Sequence, residues 1–296
     1  MKRVTLLGML VSACLLTACD SGSTTTSTNA TTTSTATTNP TTVTGSTDPN
    51  FTIVNHSDAG FSGLNRKVVV FDIPIYAASG VEDQKLLHAA NIMAQYLDND
   101  EDGAVDNPAV LNAMQSNMAF MVMWKKEGDL SSVGEPPAGR LGQDLGADET
   151  VPAWHTNGQT GRFDASLEEV WHIITHAGYA SAYADEFGEY QGTSLTNAMD
   201  LARGGQFTTV PTSYPANAWY SYGDTTCTYN CMATEYFYWA MSSMLGAQKN
   251  RFDEISDEWK LNTRALVESR DPAMFTLLTN SRYHFPSKLP DGSYRH

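Results

Sequence analysis

Apolar residues along this chain change period several times, and the changes divide it. Lys67 to Ile75 (Lys-Val-Val-Val-Phe-Asp-Ile-Pro-Ile) is a continuous apolar run of strand length, ended by Pro74. Leu86, Ala90, Met93 and Leu97 then repeat at helical spacing, and Asn107 with Pro108 forms an N-cap and N1 pair that opens a second helix. Met118 to Trp124 is apolar throughout and predicts another strand. Residues 128–163 are rich in Gly and Pro without a clear period and predict a long loop. Beyond Phe163 the period is helical, over 166–177, 193–203, 231–245 and 272–279. The expected fold class is α+β: a small mixed sheet with a helix–loop–helix, followed by a mainly helical half. One globular domain is expected over 48–296, in three stretches (48–127, 128–163 and 164–296).

The segment between the first two helices carries the most specific chemistry. It reads Asp-Asn-Asp-Glu-Asp-Gly-Ala-Val-Asp from 98 to 106. Asp98, Asp100 and Asp102 stand at alternate positions, Gly103 supplies a sharp turn, Ala104 offers a carbonyl, and Asp106 follows. A hard cation wants many oxygens, and four carboxylates this close repel one another without a counter-ion. The spacing resembles the EF-hand loop, which implies calcium on Asp98, Asp100, Asp102, Ala104 and Asp106. It departs from that family at the twelfth position, where Ala109 replaces the bidentate Glu. A solvated acidic turn is the plainer alternative.

The N-terminal pattern concerns location. Lys2 and Arg3 precede an apolar run, Val4 to Leu16, that is too short to span a membrane. It closes on Leu16-Thr17-Ala18-Cys19, which resembles the lipobox of bacterial lipoproteins. The resemblance implies that residues 1–18 are a signal peptide and that lipidated Cys19 anchors the protein to an envelope bilayer. An Asp at the next position, here Asp20, implies inner-membrane retention in enteric bacteria. Ser21 to Thr47 has no apolar face, so 19–47 is expected to be a disordered tether. Of four cysteines, Cys14 goes with the signal and Cys19 to lipid. Cys227 and Cys231 remain, for a local disulfide in an oxidising compartment or, alternatively, for a metal. A formal charge of −15 disfavours nucleic acid and anionic lipid surfaces.

A second candidate site lies in Ser166-Leu-Glu-Glu-Val-Trp-His172-Ile-Ile-Thr-His176. His172 and His176 are four apart and share a helical face, with Glu168 one turn earlier. Ser166 and Glu169 read as a capping box, which would occupy Glu169 structurally. Glu235 is the only charged residue between Cys231 and Leu245, on a helix apolar nearly all round, so it is expected to be buried against a cation or metal. His155 and Asp200 are alternative ligands. Together these segments resemble the gluzincin branch of the zincin metallopeptidases, and Thr234-Glu235-Tyr-Phe resembles a helix of lethal-factor-like members. The resemblance implies zinc on His172, His176 and Glu235, with Glu168 as a further ligand. In that family the general base directly follows the first His, where this chain has Ile173; Glu169 is the candidate substitute.

Two functional readings follow. One is a lipid-anchored, calcium-binding metallopeptidase or other metallohydrolase of zincin-like build. The other is a non-catalytic, calcium-stabilised surface protein that binds a peptide or glycan, with Trp154, Trp219, Tyr220, Tyr222 and Tyr229 as groove aromatics.

Overall fold

A computed structural model describes residues 48–126, 129 and 137–296. The expected signal peptide, Cys19 and the tether lie outside the described residues. A five-stranded sheet runs in sequential order: β1 (Val54–Asn55), β2 (Arg66–Val70), β3 (Ile73–Ala77), β4 (Phe120–Trp124) and β5 (Gly142–Gly146). The first three strands are antiparallel, while β3–β4 and β4–β5 are parallel. Helices α1 (Asp83–Leu97) and α2 (Pro108–Ser116) fill the crossover from β3 to β4. After β5 come α3 (Ala153–Thr156), α4 (Ser166–Ile174), a π-helical turn (Thr175–Tyr179), α5 (Ala180–Ala182), α6 (Ala184–Phe187) and α7 (Ser194–Arg203). The chain ends with α8 (Tyr229–Met244), α9 (Phe252–Ile255), α10 (Arg264–Arg270) and α11 (Pro272–Leu278). The architecture is α+β, with a mixed sheet and a helical C-terminal half.

Three expectations need correction. The run from Lys67 to Ile75 is not one strand but a hairpin. Phe71 and Asp72 both adopt positive φ (45° and 68°), and Val70 pairs with Ile73 across this two-residue turn. No glycine marks the turn, so its apolar flanks read as continuous. Secondly, 128–163 is not only loop: it contains β5, whose two glycines lower its apparent strand character. Gly142 is required there, because a Cβ would fall 2.2 Å from the Phe120 ring. Lastly, the helix expected over 166–177 is α-helical only to Ile174 and then widens into the π turn.

Strand β4 is buried on both faces, which explains its unbroken Phe-Met-Val-Met-Trp sequence. Phe61, Leu64, Tyr76, Phe120, Val122 and Trp124 form a cluster on one side, and the main core lies on the other. In that main core α1 packs on β2 and β3, and α4 packs against α1, β5 and α8. Helix α8 is buried along nearly its whole surface, as its all-round apolar sequence requires. The π turn lies against α2 so closely that a Cβ on Gly178 would come 2.7 Å from Val110 Cγ1. The helix–loop–helix and the site-bearing helix are therefore one packed unit.

Candidate metal centres

The acidic loop folds around Asp98, which is fully buried. Its Oδ1 accepts from Asp102 N (3.2 Å), and its Oδ2 accepts from Gly103 N (2.9 Å) and Tyr294 Oη (2.5 Å). Gly103 has φ 89°, the left-handed turn that its place in the sequence implied. Asp98, Asp100 and Asp106 bring carboxylate oxygens within 4.8 Å of one another. Asp102 is not in that set; its Oδ1 accepts from Ala104 N at 2.8 Å. Asp106 accepts from Asn99 N, and burial first, then Asp100 and Asp98, raises its pKa. Asn107 caps α2 as expected, accepting from Val110 N with Pro108 at N1. The C-terminal segment closes over the loop: Tyr294 reaches Asp98, Arg295 N donates to Glu101, and Asn99 accepts from Ser287 N and Lys288 N.

The second site differs in membership from its sequence expectation. Glu168, His172 and Glu235 converge, with one ligand atom from each within 4.8 Å of the others. His172 Nε2 lies 3.6 Å from Glu235 Oε2, too long for a hydrogen bond, and is buried without a partner. On its other side His172 Nδ1 is 3.5 Å from Glu169 Oε2. A T-shaped contact with Tyr238 holds the ring. His176 does not join the converging set. Its Nδ1 is hydrogen-bonded to Glu189 Oε2 at 2.7 Å, and Glu189 Oε1 accepts from Thr234 at 2.7 Å. Burial pulls the His176 pKa down, but the Glu189 bond and charge outweigh it and raise it.

The capping box is absent as well. Ala165 occupies the N-cap position, and Ser166 Oγ donates instead to Asp164 Oδ2 at 2.7 Å. Glu169 is thereby free of cap duty, and its Oε2 accepts from Gln143 Nε2 of β5 at 2.6 Å. The local electrostatics are adverse. Glu235 is pushed up to about 8 by burial, with His172 opposing and Glu168 and Glu169 adding to the rise. Glu169 is also pushed up to about 8, by burial and Glu149. Asp144 reaches about 8, through burial, Glu169 and Glu149. Burial and Glu169 hold Glu168 well above the ordinary carboxylate range, with Arg251 opposing. Burial lowers His172. Among the described residues no Lys or Arg forms an ion pair with Glu168, Glu169 or Glu235. Carboxylates crowded around an unpaired imidazole in low dielectric call for protons or a metal.

The alternative ligands go elsewhere. Asp200 binds Arg203 (2.5 Å) and Tyr229 Oη (2.9 Å), both within the α7–α8 packing. His155 joins His88 and Asp164 in a separate cluster. The groove aromatics are a correction too: Trp154 and Tyr220 are fully buried core residues and Tyr229 is buried, while only Trp219 and Tyr222 are partly exposed. Cys227 and Cys231 form a disulfide at the start of α8, one turn before Glu235. No helix among the described residues is long and apolar enough to cross a membrane.

The sequence offered Glu168 only as a further ligand beside His176, whereas Glu168 joins the converging trio and His176 does not. The usable signal was the spacing Glu168-Glu169-Val-Trp-His172, which has the register of His-Glu-x-x-His with Glu at the first place. Sequence reasoning missed His88 and Asp164, which are far apart in the chain. No protein-family model, no curated protein and no solved structure matches this chain.

Proposed function

We propose that this protein is a metal-dependent hydrolase of zincin-like build, with peptides as the first substrate class to test. The observation that carries the reading is the meeting of half-buried Glu168 with buried His172 and Glu235, beside Glu169. In the His-Glu-x-x-His register the first and last residues bind zinc and the Glu after the first ligand is the general base. Here Glu168 and His172 hold the ligand places and Glu169 holds the base place, four residues upstream of the register that left Ile173 there. Glu235, from α8, is the third ligand. Such a metal polarises a carbonyl and lowers the pKa of bound water. Glu169, in the base place 3.5 Å from His172 Nδ1, would accept that water's proton once a bound cation keeps its carboxylate ionised. Gln143 fixes its orientation from β5. His176 and Glu189, hydrogen-bonded to each other, both lie near enough for their charges to act on His172, Glu189 the more strongly.

On this proposal the enzyme sits on an envelope bilayer through lipidated Cys19, with calcium in the 98–106 loop holding α1 and α2 at a fixed angle. Burial favours a second reading, a structural metal in a non-catalytic protein: Glu169, His172 and Glu235 are only 3 %, 2 % and 5 % exposed. One experiment separates the two. Zinc-loaded protein is assayed against a fluorogenic mixed-peptide library, alongside Glu169→Gln. Cleavage that disappears in Glu169→Gln with zinc content unchanged supports the hydrolase. Zinc that is lost in His172→Ala, with no cleavage by the wild type, supports the structural site.

A further inference from the structure

A third convergence lies at the N-terminal end of α4. His88 comes from α1, His155 from α3, and Asp164 from the two residues preceding α4. Their ligand atoms lie within 4.8 Å of one another. Both imidazoles approach one oxygen: His88 Nε2 is 2.7 Å and His155 Nε2 2.8 Å from Asp164 Oδ2. The rings are tilted at 55°, with centroids 5.4 Å apart, so they present their edges to a common region and do not stack. Asp164 is fully buried, and the two imidazole side chains are 6 % and 5 % exposed.

The carboxylate is already oriented by its own neighbourhood. Asp164 Oδ1 accepts from Val151 N at 2.8 Å and Oδ2 accepts from Ser166 Oγ at 2.7 Å. Those donors satisfy a buried Asp at a helix start. Two further imidazoles, from separate elements, crowd onto the same Oδ2 that already accepts from Ser166 Oγ, three approaches to one oxygen. The C-terminal segment completes the enclosure: Gly292 has φ 81°, and a Cβ on it would fall 2.2 Å from His88 Nδ1.

We propose that His88, His155 and Asp164 form a second metal site, which takes one divalent transition ion of the zinc or iron(II) class. Two neutral imidazoles and one carboxylate are a donor set that such ions prefer over calcium or magnesium. Such an ion would take the Nε2 lone pair of each ring, the atoms that now face Asp164 Oδ2. Little room remains for substrate, so the role of the ion is structural, tying α1, α3 and the entry to α4 at one point. Ser166, the first residue of α4, donates to Asp164, and Tyr96 of α1 donates to Leu167 O, so this site braces the helix that carries Glu168, Glu169 and His172.

The test uses the intact, tag-free protein, with millimolar calcium present to occupy the oxygen loop. Zinc is counted by mass spectrometry after equilibration and gel filtration, in wild type and in a His172→Ala/Glu235→Ala variant. That variant should retain one zinc, and X-ray absorption should find two imidazoles on it. Adding His88→Gln and His155→Gln, which keep side-chain amides for Asp164, should remove that zinc with the circular dichroism unchanged. A folded His172→Ala/Glu235→Ala protein that holds no zinc, or zinc with fewer than two imidazoles, overturns the proposal. Wild type holding a single zinc on two imidazoles would instead sink the Glu168–His172–Glu235 reading and leave this one standing.

Discussion

The acidic loop and the α4–α8 pocket both gather carboxylates, and they treat them in opposite ways. In the loop, Asp98 is as buried as any of the described residues, yet it accepts two amide hydrogens from its own turn and a tyrosine hydroxyl. In the pocket, Glu235 meets an imidazole at 3.6 Å and two other carboxyl groups, and its pKa climbs to about 8. Hydrogen bonds to the charged form favour it, whereas desolvation and like charge oppose it. The loop therefore prepares the charge of Asp98 locally, and its residual strain is confined to Asp106, whose pKa burial and the neighbouring Asp100 and Asp98 raise. The pocket is in tension until a proton or a metal relieves it. Such tension in a buried cluster is a physical reason to look there for chemistry.

The largest effect that could break this contrast is on activity. Glu169→Gln should leave zinc content unchanged and lower peptide hydrolysis by about 10²–10⁴-fold, the usual worth of a positioned base. His172→Ala should abolish both zinc at this pocket and hydrolysis. Equal loss of zinc in the two variants would show that Glu169 is a ligand and not the base.

Stability against pH sharpens the same point. Glu169 and Glu235 have folded pKa values of about 8 against an ordinary 4.5. The folded state therefore binds more protons than the unfolded state across that window. Stability of the metal-free protein is fully present below about pH 4.5 and falls as pH rises towards 8, by at most about 1.4 kcal/mol per group per pH unit. Urea midpoints measured in chelator from pH 5 to 8 should fall, and Glu235→Gln should flatten the slope. With zinc bound the fall should largely vanish. A metal-free midpoint that stays level would remove the electrostatic case for the site.

The same contrast explains what could be read before folding. The loop's turn and the Asn107–Pro108 cap are legible because each falls within a few residues, whereas Asp102 leaves the carboxylate set to accept from Ala104 N. Helix α8 was legible because an apolar surface on every side has one physical solution. The Phe71–Asp72 turn was not, since two left-handed non-glycine residues leave no mark in an apolar run. His172 with His176 was a sound helical inference, but Glu189 from the segment after α6 takes the second ring, and such a partner has no local signature. The capping box failed for a like reason: Asp164, held by two histidines from other elements, captured the Ser166 hydroxyl.

Calcium tests the loop's side of the comparison. Asp98→Ala should destabilise the protein even in chelator, because it strands two amides and the Tyr294 hydroxyl. Asp100 is exposed, so Asp100→Ala should cost little in chelator and should erase most of the calcium response. That response is up to about 4 kcal/mol at a thousand-fold excess over the dissociation constant. Magnesium should give less, since it tolerates this flexible oxygen set poorly. Melting curves that coincide in chelator and in millimolar calcium would reduce the loop to a self-satisfied acidic turn.

The smallest effect concerns the link between the pocket and its covalent support. Cys227 and Cys231 close a short ring immediately before Glu235, and Cys231 stands about one helical turn upstream of that residue. A ring of this length restricts the unfolded chain little, so Cys227→Ser/Cys231→Ser should cost about 2 kcal/mol or less. The local consequence should be proportionally greater, because the first turn of α8 then frays in the region that must present Glu235 to His172. Zinc affinity at the pocket should fall by about tenfold or less, corresponding to about 1.4 kcal/mol, while calcium affinity at the loop stays level. Titrating both ions on the oxidised protein and on the serine variant checks this. Equal losses at the two sites would mean that the disulfide supports the whole fold, and that loop and pocket are not energetically separate.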